Sequence, residues 1–120
     1  MDKHAVNDPK DATVDSLRGL AYANPHLLLD VANKTVFVKP ESKRVALICG
    51  GGTGHEPAHA GFVGEGMLSA AVCGSVFASP NSKQFAAAIK RMVRHAAGGL
   101  TVAALVLHGR RGYVVSAVWS

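Results

Sequence analysis

Val45-Ala46-Leu47-Ile48-Cys49-Gly50-Gly51-Gly52-Thr53-Gly54-His55-Glu56-Pro57 joins an apolar run to a glycine loop. The first five residues are rich in β-formers and have the length of a buried strand. Four of the next five are glycine, and ordering them gives up much chain entropy. In return the loop offers backbone that can approach a ligand closely. His55 then places a titratable imidazole at the loop's end. A strand, a glycine loop and a polar side chain opening a helix is the arrangement at which open α/β sheets bind ligands.

The flanking sequence extends this pattern in both directions. Apolar residues Ala12, Val14, Leu17, Leu20 and Ala21 recur at helical spacing, so Asp11 to Ala23 reads as a helix that Asn24-Pro25 stops. Leu27-Leu28-Leu29 reads as a short buried segment and Thr35 to Val38 as a strand. A short helix is expected from near Glu56 through Ala60, and a second buried strand over Leu68 to Cys73. Ser75 to Pro80 forms another strand-to-helix loop, with Ser79 as N-cap and Pro80 at the first helical position. The helix from Pro80 to His95 should bury Phe85, Ala88, Ile89 and Met92 and turn Lys83, Lys90 and Arg94 outward. Leu100 to Leu107 reads as a third buried strand, and Tyr113 to Trp119 fits another.

Strands thus alternate with connections long enough for crossovers. The fold class this predicts is α/β: an open, mostly parallel sheet with helices on its faces. Loops 50–57 and 74–80 both follow strands, so they should meet at the carboxyl edge of the sheet around one cleft.

Composition narrows the classes. The chain has 120 residues, 48% of them hydrophobic and 18% charged, enough for one small domain with a core. Net charge is +5 and the pI about 9.6. The basic residues are dispersed apart from Lys90-Arg91, Arg94-His95 and Arg110-Arg111, and they do not interleave with aromatics, which argues against nucleic acid as a partner. No apolar run reaches the length of a membrane span and no secretory signal stands at the start, so the expected location is cytoplasmic. Two cysteines, Cys49 and Cys73, form neither a disulfide framework nor a zinc set and are expected to be buried free thiols.

Motif readings of the loop then compete. G-x-G-x-x-G fails in every register, and the phosphate loop fails because no Gly-Lys pair is present. His55-Glu56-Pro57-Ala58-His59 spells H-E-x-x-H, the zinc-peptidase pattern. That chemistry needs both imidazoles on one helical turn, yet glycines stand directly upstream of His55 and Pro57 interrupts the motif. The remaining readings are a small polar ligand held by backbone N–H groups, with His55 taking a proton from its hydroxyl, and a tight turn in which His55 only caps the helix.

Beyond spacing, Arg44 to Gly64, with its Cys-Gly-Gly-Gly-Thr-Gly-His-Glu-Pro block, and Ala71 to Pro80, with Val-Phe-Ala-Ser-Pro, resemble the start of the dihydroxyacetone (glycerone) kinase family. The resemblance is to its substrate-binding K domain and covers about residues 6 to 92. Leu17-Arg18-Gly19-Leu20 and Ser82-Lys83-Gln84 are similar to the single-chain, ATP-dependent eukaryotic members, while Cys49 replaces the family's serine. The resemblance implies that Gly52, Thr53, Gly54 and His55 hold dihydroxyacetone. It implies that His55 assists proton transfer from the hydroxyl that attacks the γ-phosphate. It also implies that Phe77 and Ser79 shape the cleft, that no metal is bound by these residues, and that ATP and Mg²⁺ bind a separate domain of a homodimeric enzyme.

The chain departs from the family after its second long helix. Where the family carries Lys-Asn-Tyr-Thr-Gly-Asp, this chain has His108-Gly109-Arg110-Arg111-Gly112, without the substrate-serving Lys and Asp. The family's later covalent histidine has no counterpart here. The codons CTA-CAC-GGG-CGA-CG could encode Leu107 to the start of Arg111, and one base later the same bases would read Tyr-Thr-Gly-Asp. The expectation is therefore a K-domain portion over residues 1–99 and a divergent, frame-shifted tail over 100–120, inactive by itself. The alternative is a non-catalytic triose-binding or regulatory module.

Overall fold

Asp8 accepts the Lys10 N–H at 2.9 Å, and with Pro9 behind it opens a 3₁₀ turn, Pro9–Asp11, that leads into α1, Ala12–Ala23. Asn24 ends α1, donating both its backbone N–H and its side-chain amide to the Leu20 carbonyl. Leu17 is the apolar anchor of this helix. The computed structural model describes residues 8–39, 45–54, 58–95, 100–108 and 111–119.

Six strands follow: β1 (Leu28–Asp30), β2 (Thr35–Phe37), β3 (Val45–Gly51), β4 (Ala70–Val72), β5 (Leu100–His108) and β6 (Arg111–Trp119), with α2 (Ser82–His95) between β4 and β5. They form one open sheet in the order β1-β2-β4-β3-β5-β6. The centre is parallel, β3 pairing with β4 through Ile48↔Ala70 and with β5 through Ile48↔Ala104. Antiparallel strands extend it on both sides, so the α/β sheet is mixed, with the parallel arrangement concentrated where the glycine loop emerges.

The period-2 alternation of the central strands sends residues to two cores. Ala46, Ile48, Ala70 and Val72 pack with Ala88 and Met92 beneath α2. Val36, Ala71 and Cys73 pack with Leu17, Ala60 and Val63 on the α1 face. α2 carries the polarity expected of it: Ala88 and Met92 are buried, while Lys83, Lys90 and Arg94 are exposed. Arg91, at its flank, reaches the Asp30 carboxylate at 2.8 Å and lies 5.1 Å from the centroid of the Phe37 ring. It thereby ties α2 to the β1–β2 hairpin. Burial pushes the Asp30 carboxyl upward. The Asn33 side-chain and backbone hydrogen bonds, with Arg91, outweigh it, and the net position is below the usual 3.8.

Three local expectations change. Leu28 is 47% exposed because β1 lies at the sheet edge, and only Leu27 of the Leu27–Leu29 run is buried. α2 begins at Ser82, not Pro80, and its cap is Asn81 rather than Ser79. Asn81 Oδ1 accepts the Gln84 N–H at 2.9 Å while Gln84 Oε1 accepts the Asn81 N–H at 3.0 Å. That reciprocal capping box outcompetes a cap further upstream. Finally, residues 58–59 form a turn followed by a 3₁₀ turn, Ala60–Phe62, in place of the end of a helix from Glu56. The left-handed backbone at His59, φ 58°, breaks any helical run there, and Glu56 itself lies outside the described residues.

Candidate functional site

Because Gly50 pairs with Val72, β3 and β4 release their chains at the same edge of the sheet. The close approach of the strands and α2 explains the first glycine: a Cβ on Gly50 would meet the Phe85 ring and stand 2.9 Å from the Val72 carbonyl oxygen. Beyond the strand, burial alternates. Gly51 and Thr53 are buried, whereas Gly52 and Gly54 present exposed backbone.

Thr53 joins the two loops. Its side chain is 4% exposed, and its Oγ1 accepts the Gly74 N–H at 2.8 Å. Its carbonyl accepts the Phe77 N–H, also at 2.8 Å. Loop 74–80 folds back tightly, with the Ala78 N–H on the Ser75 carbonyl at 2.9 Å. A Cβ on Gly74 would lie 2.7 Å from the Ser79 carbonyl carbon and 2.9 Å from the Pro80 nitrogen. The meeting of both loops at the carboxyl edge, expected from their positions after strands, is thus carried by two hydrogen bonds to one threonine.

Strain gathers around this junction. Gly54 has φ 115° and sits under the Phe77 ring, whose Cδ1 is 3.0 Å from the position of a Cβ. Phe77 has φ 58°, which costs a bulky residue about 1–3 kcal/mol, and its side chain is 89% exposed. His59 is the third left-handed residue here, with φ 58° and ψ −58°. Its Nδ1 lies 3.6 Å from Cys49 Sγ. Cys49 and Cys73 are both buried thiols outside any disulfide, as expected, and burial pushes the Cys49 thiol up against a smaller lowering by the Gly50 N–H.

Gly52, Thr53 and Gly54 therefore share one loop, while His55 lies outside the described residues, as do Glu56 and Pro57. Ser79, which the resemblance placed at the cleft, is exposed in the same loop as Phe77. The H-E-x-x-H reading lacks its helical second histidine, since His59 is in a turn beside a thiol. Among the described residues no group of three His, Cys, Asp or Glu side chains is placed to hold a metal ion.

Two contributors escaped the sequence reading. Gln84 donates to the Cys73 carbonyl at 2.9 Å and to the Asn33 carbonyl at 3.0 Å, fixing the end of β4 where loop 74–80 begins. The Asn81-x-x-Gln84 spacing was its available signal. The Cys49–His59 contact had no signal of its own, because it depends on the turn that carries His59.

The Dak1 domain family matches residues 18–104. Dihydroxyacetone kinase 1 of Saccharomyces cerevisiae is 50% identical over 97 residues, covering 81% of this chain and 16% of the yeast protein. The dihydroxyacetone-binding subunit of a PTS-dependent dihydroxyacetone kinase from Lactococcus lactis is 50% identical over 91 residues, covering 74% of this chain and 27% of that subunit. The crystal structure of the C. freundii dihydroxyacetone kinase in complex with AMP-PNP and Mg²⁺ superposes with a TM-score of 0.67 at 37% identity, over 85% of this chain and 20% of that one. The chain spans about a quarter or less of these proteins. With a matching domain over most of its length and 50% identity to two of these relatives over the aligned residues, the chain belongs to the Dak1 domain family.

Proposed function

We propose that this chain is the triose-binding, N-terminal part of a dihydroxyacetone kinase K domain, and that Gly52, Thr53, Gly54 and His55 hold dihydroxyacetone. The junction carries this reading: Thr53 is turned inward onto Gly74 and Phe77, which leaves the backbone of Gly52 and Gly54 exposed at the sheet edge. A rigid cradle of backbone suits a small, uncharged ligand whose hydroxyls and carbonyl need hydrogen bonds and no counter-charge. The Thr53 side chain serves the cradle's shape, and Phe77 gives it an apolar wall.

In the whole enzyme the transfer is of a γ-phosphoryl group to a triose hydroxyl. His55 would accept the hydroxyl proton as the oxygen becomes a nucleophile. ATP and Mg²⁺ are assigned to another domain of the whole enzyme, in keeping with the AMP-PNP and Mg²⁺ complex of the C. freundii dihydroxyacetone kinase. Without the family's Lys and Asp, the 120 residues should bind and not turn over. The divergence after about residue 100, with the Dak1 match ending at residue 104, fits a shift of reading frame. Genomic DNA whose codons cannot give Tyr-Thr-Gly-Asp one base later would remove that part of the proposal. A homodimer and a cytoplasmic location are proposed for the whole enzyme; among the described residues no helix is long and apolar enough to cross a membrane.

The test is an NMR titration of the 120-residue chain with dihydroxyacetone, with glycerol as control. Saturable shifts at the Gly52, Gly54 and Phe77 amides are expected with the ketone. Absence of shifts there, with shifts elsewhere or none at all, overturns the reading.

A further inference from the structure

Beyond the Thr53 junction, the described chain resumes at Ala58 and meets the core at His59–Ala60. The Ala60 N–H donates to the Ala58 carbonyl at 2.7 Å across His59, a γ-turn with positive φ. L-residues rarely adopt this turn, and it persists only where the surroundings hold it on both sides. Here Ala60 is fully buried in the α1-face core with Leu17 and Val36, which holds one side. On the other, the His59 imidazole lies against the thiol of Cys49.

Cys49 is well placed to serve as an anchor. It sits in the central strand, pairing in register with Ala71 of β4 and with Leu105 of β5. It is also four residues before Thr53, so the chain is tied to loop 74–80 at Thr53, through the threonine hydroxyl and carbonyl, and to β3 at His59, through the thiol. Burial raises the Cys49 pKa, so it is the thiol and not the thiolate that faces the His59 ring.

We propose that Cys49 and His59 form a thiol–imidazole clamp that holds the His59 turn against β3, making both of them positioning residues for the ligand-binding stretch upstream of it. Neither touches the ligand. This rests on the triose-binding reading only for its consequence in affinity; the clamp itself is a statement about the His59 turn. It also assigns a role to the second histidine of the H-E-x-x-H string, which the zinc reading left without one. Serine at position 49 keeps a small hydrogen-bonding group facing the imidazole, which makes Cys49→Ser the conservative variant.

The test uses the 120-residue chain with Cys49→Ala, Cys49→Ser and His59→Asn, the last tolerating positive φ while removing the ring. Amide hydrogen exchange at Ala60 is read against the α2 amides as internal reference. Cys49→Ala and His59→Asn should each speed Ala60 exchange about threefold to tenfold, the range for one neutral hydrogen bond. Cys49→Ser should restore the wild-type rate. If Cys49→Ala does not fold, His59→Asn, which leaves the buried thiol in place, decides alone. Dihydroxyacetone affinity should fall by a similar factor in the two disruptive variants and recover in Cys49→Ser. Ala60 exchange unchanged in His59→Asn, or raised equally in α2, overturns the clamp. A wild-type chain that binds no dihydroxyacetone overturns the triose reading, while the exchange data still decide the clamp.

Discussion

Replacing Thr53 with valine keeps the shape of the side chain and removes only the acceptor that the Gly74 N–H uses at 2.8 Å. Gly74 is buried and Thr53 is 4% exposed, so water cannot take the oxygen's place. An orphaned buried donor costs about 1–3 kcal/mol, and the added methyl recovers little of this. A net loss of about 2 kcal/mol is expected for Thr53→Val. Thr53→Ser keeps the acceptor and loses one methyl, about 1 kcal/mol. At about 4 °C per kcal/mol for a chain of this size, valine should lower Tm by about 8 °C and serine by about 4 °C. Circular dichroism melts give the two shifts, and urea unfolding with an unchanged m-value shows that the folded state alone is affected. Hydrogen exchange at Gly74 should accelerate in the valine variant and stay slow in the serine variant. A valine variant as stable as the wild type, with Gly74 still protected, would refute the view that this hydroxyl joins the two loops.

Three further outcomes follow from the same geometry. Gly74→Ala drives a Cβ into backbone atoms of Ala78, Ser79 and Pro80, which no rotamer change relieves, so a loss of about 3 kcal/mol in urea unfolding is expected, together with loss of dihydroxyacetone binding. Asp30 has a lowered pKa in the folded chain, so its contribution is complete above about 3.8 and is lost as pH falls through the folded value; Asp30→Asn should flatten the acid side of a stability–pH curve, by under about 1 kcal/mol because Arg91 is 41% exposed. Thr13 Oγ1 is buried with no hydrogen-bond partner among the described residues, so Thr13→Val should raise stability by about 1 kcal/mol, read as a Tm increase of about 4 °C.

Much of this architecture is legible in the residues. The apolar run 45–49, the glycines after it and the periodicity of 82–95 specify the central strand, its loop and the packing face of α2, because burial and side-chain period act locally. The carboxyl-edge meeting of loops 50–57 and 74–80 follows from the same alternation. The antiparallel strands outside the parallel centre do not, since nothing in a short run such as Thr35-Val36-Phe37 tells which neighbour it pairs with. Thr53 was legible as a loop residue and not as the fastening between loops, a role set by where Gly74 and Phe77 arrive. Nor could Cys49 and His59 be paired from sequence: their contact needs the left-handed turn at 59, where sequence patterning points to a helix.

The central claim is that the exposed backbone of Gly52 and Gly54 forms a triose cradle, and direct calorimetric titration of the 120-residue chain with dihydroxyacetone tests it most directly. Saturable one-to-one binding, with no response to glycerol and loss of the signal in Gly74→Ala, is the predicted result. No heat of binding from a chain whose NMR spectrum shows it folded, or equal binding of glycerol, would contradict it.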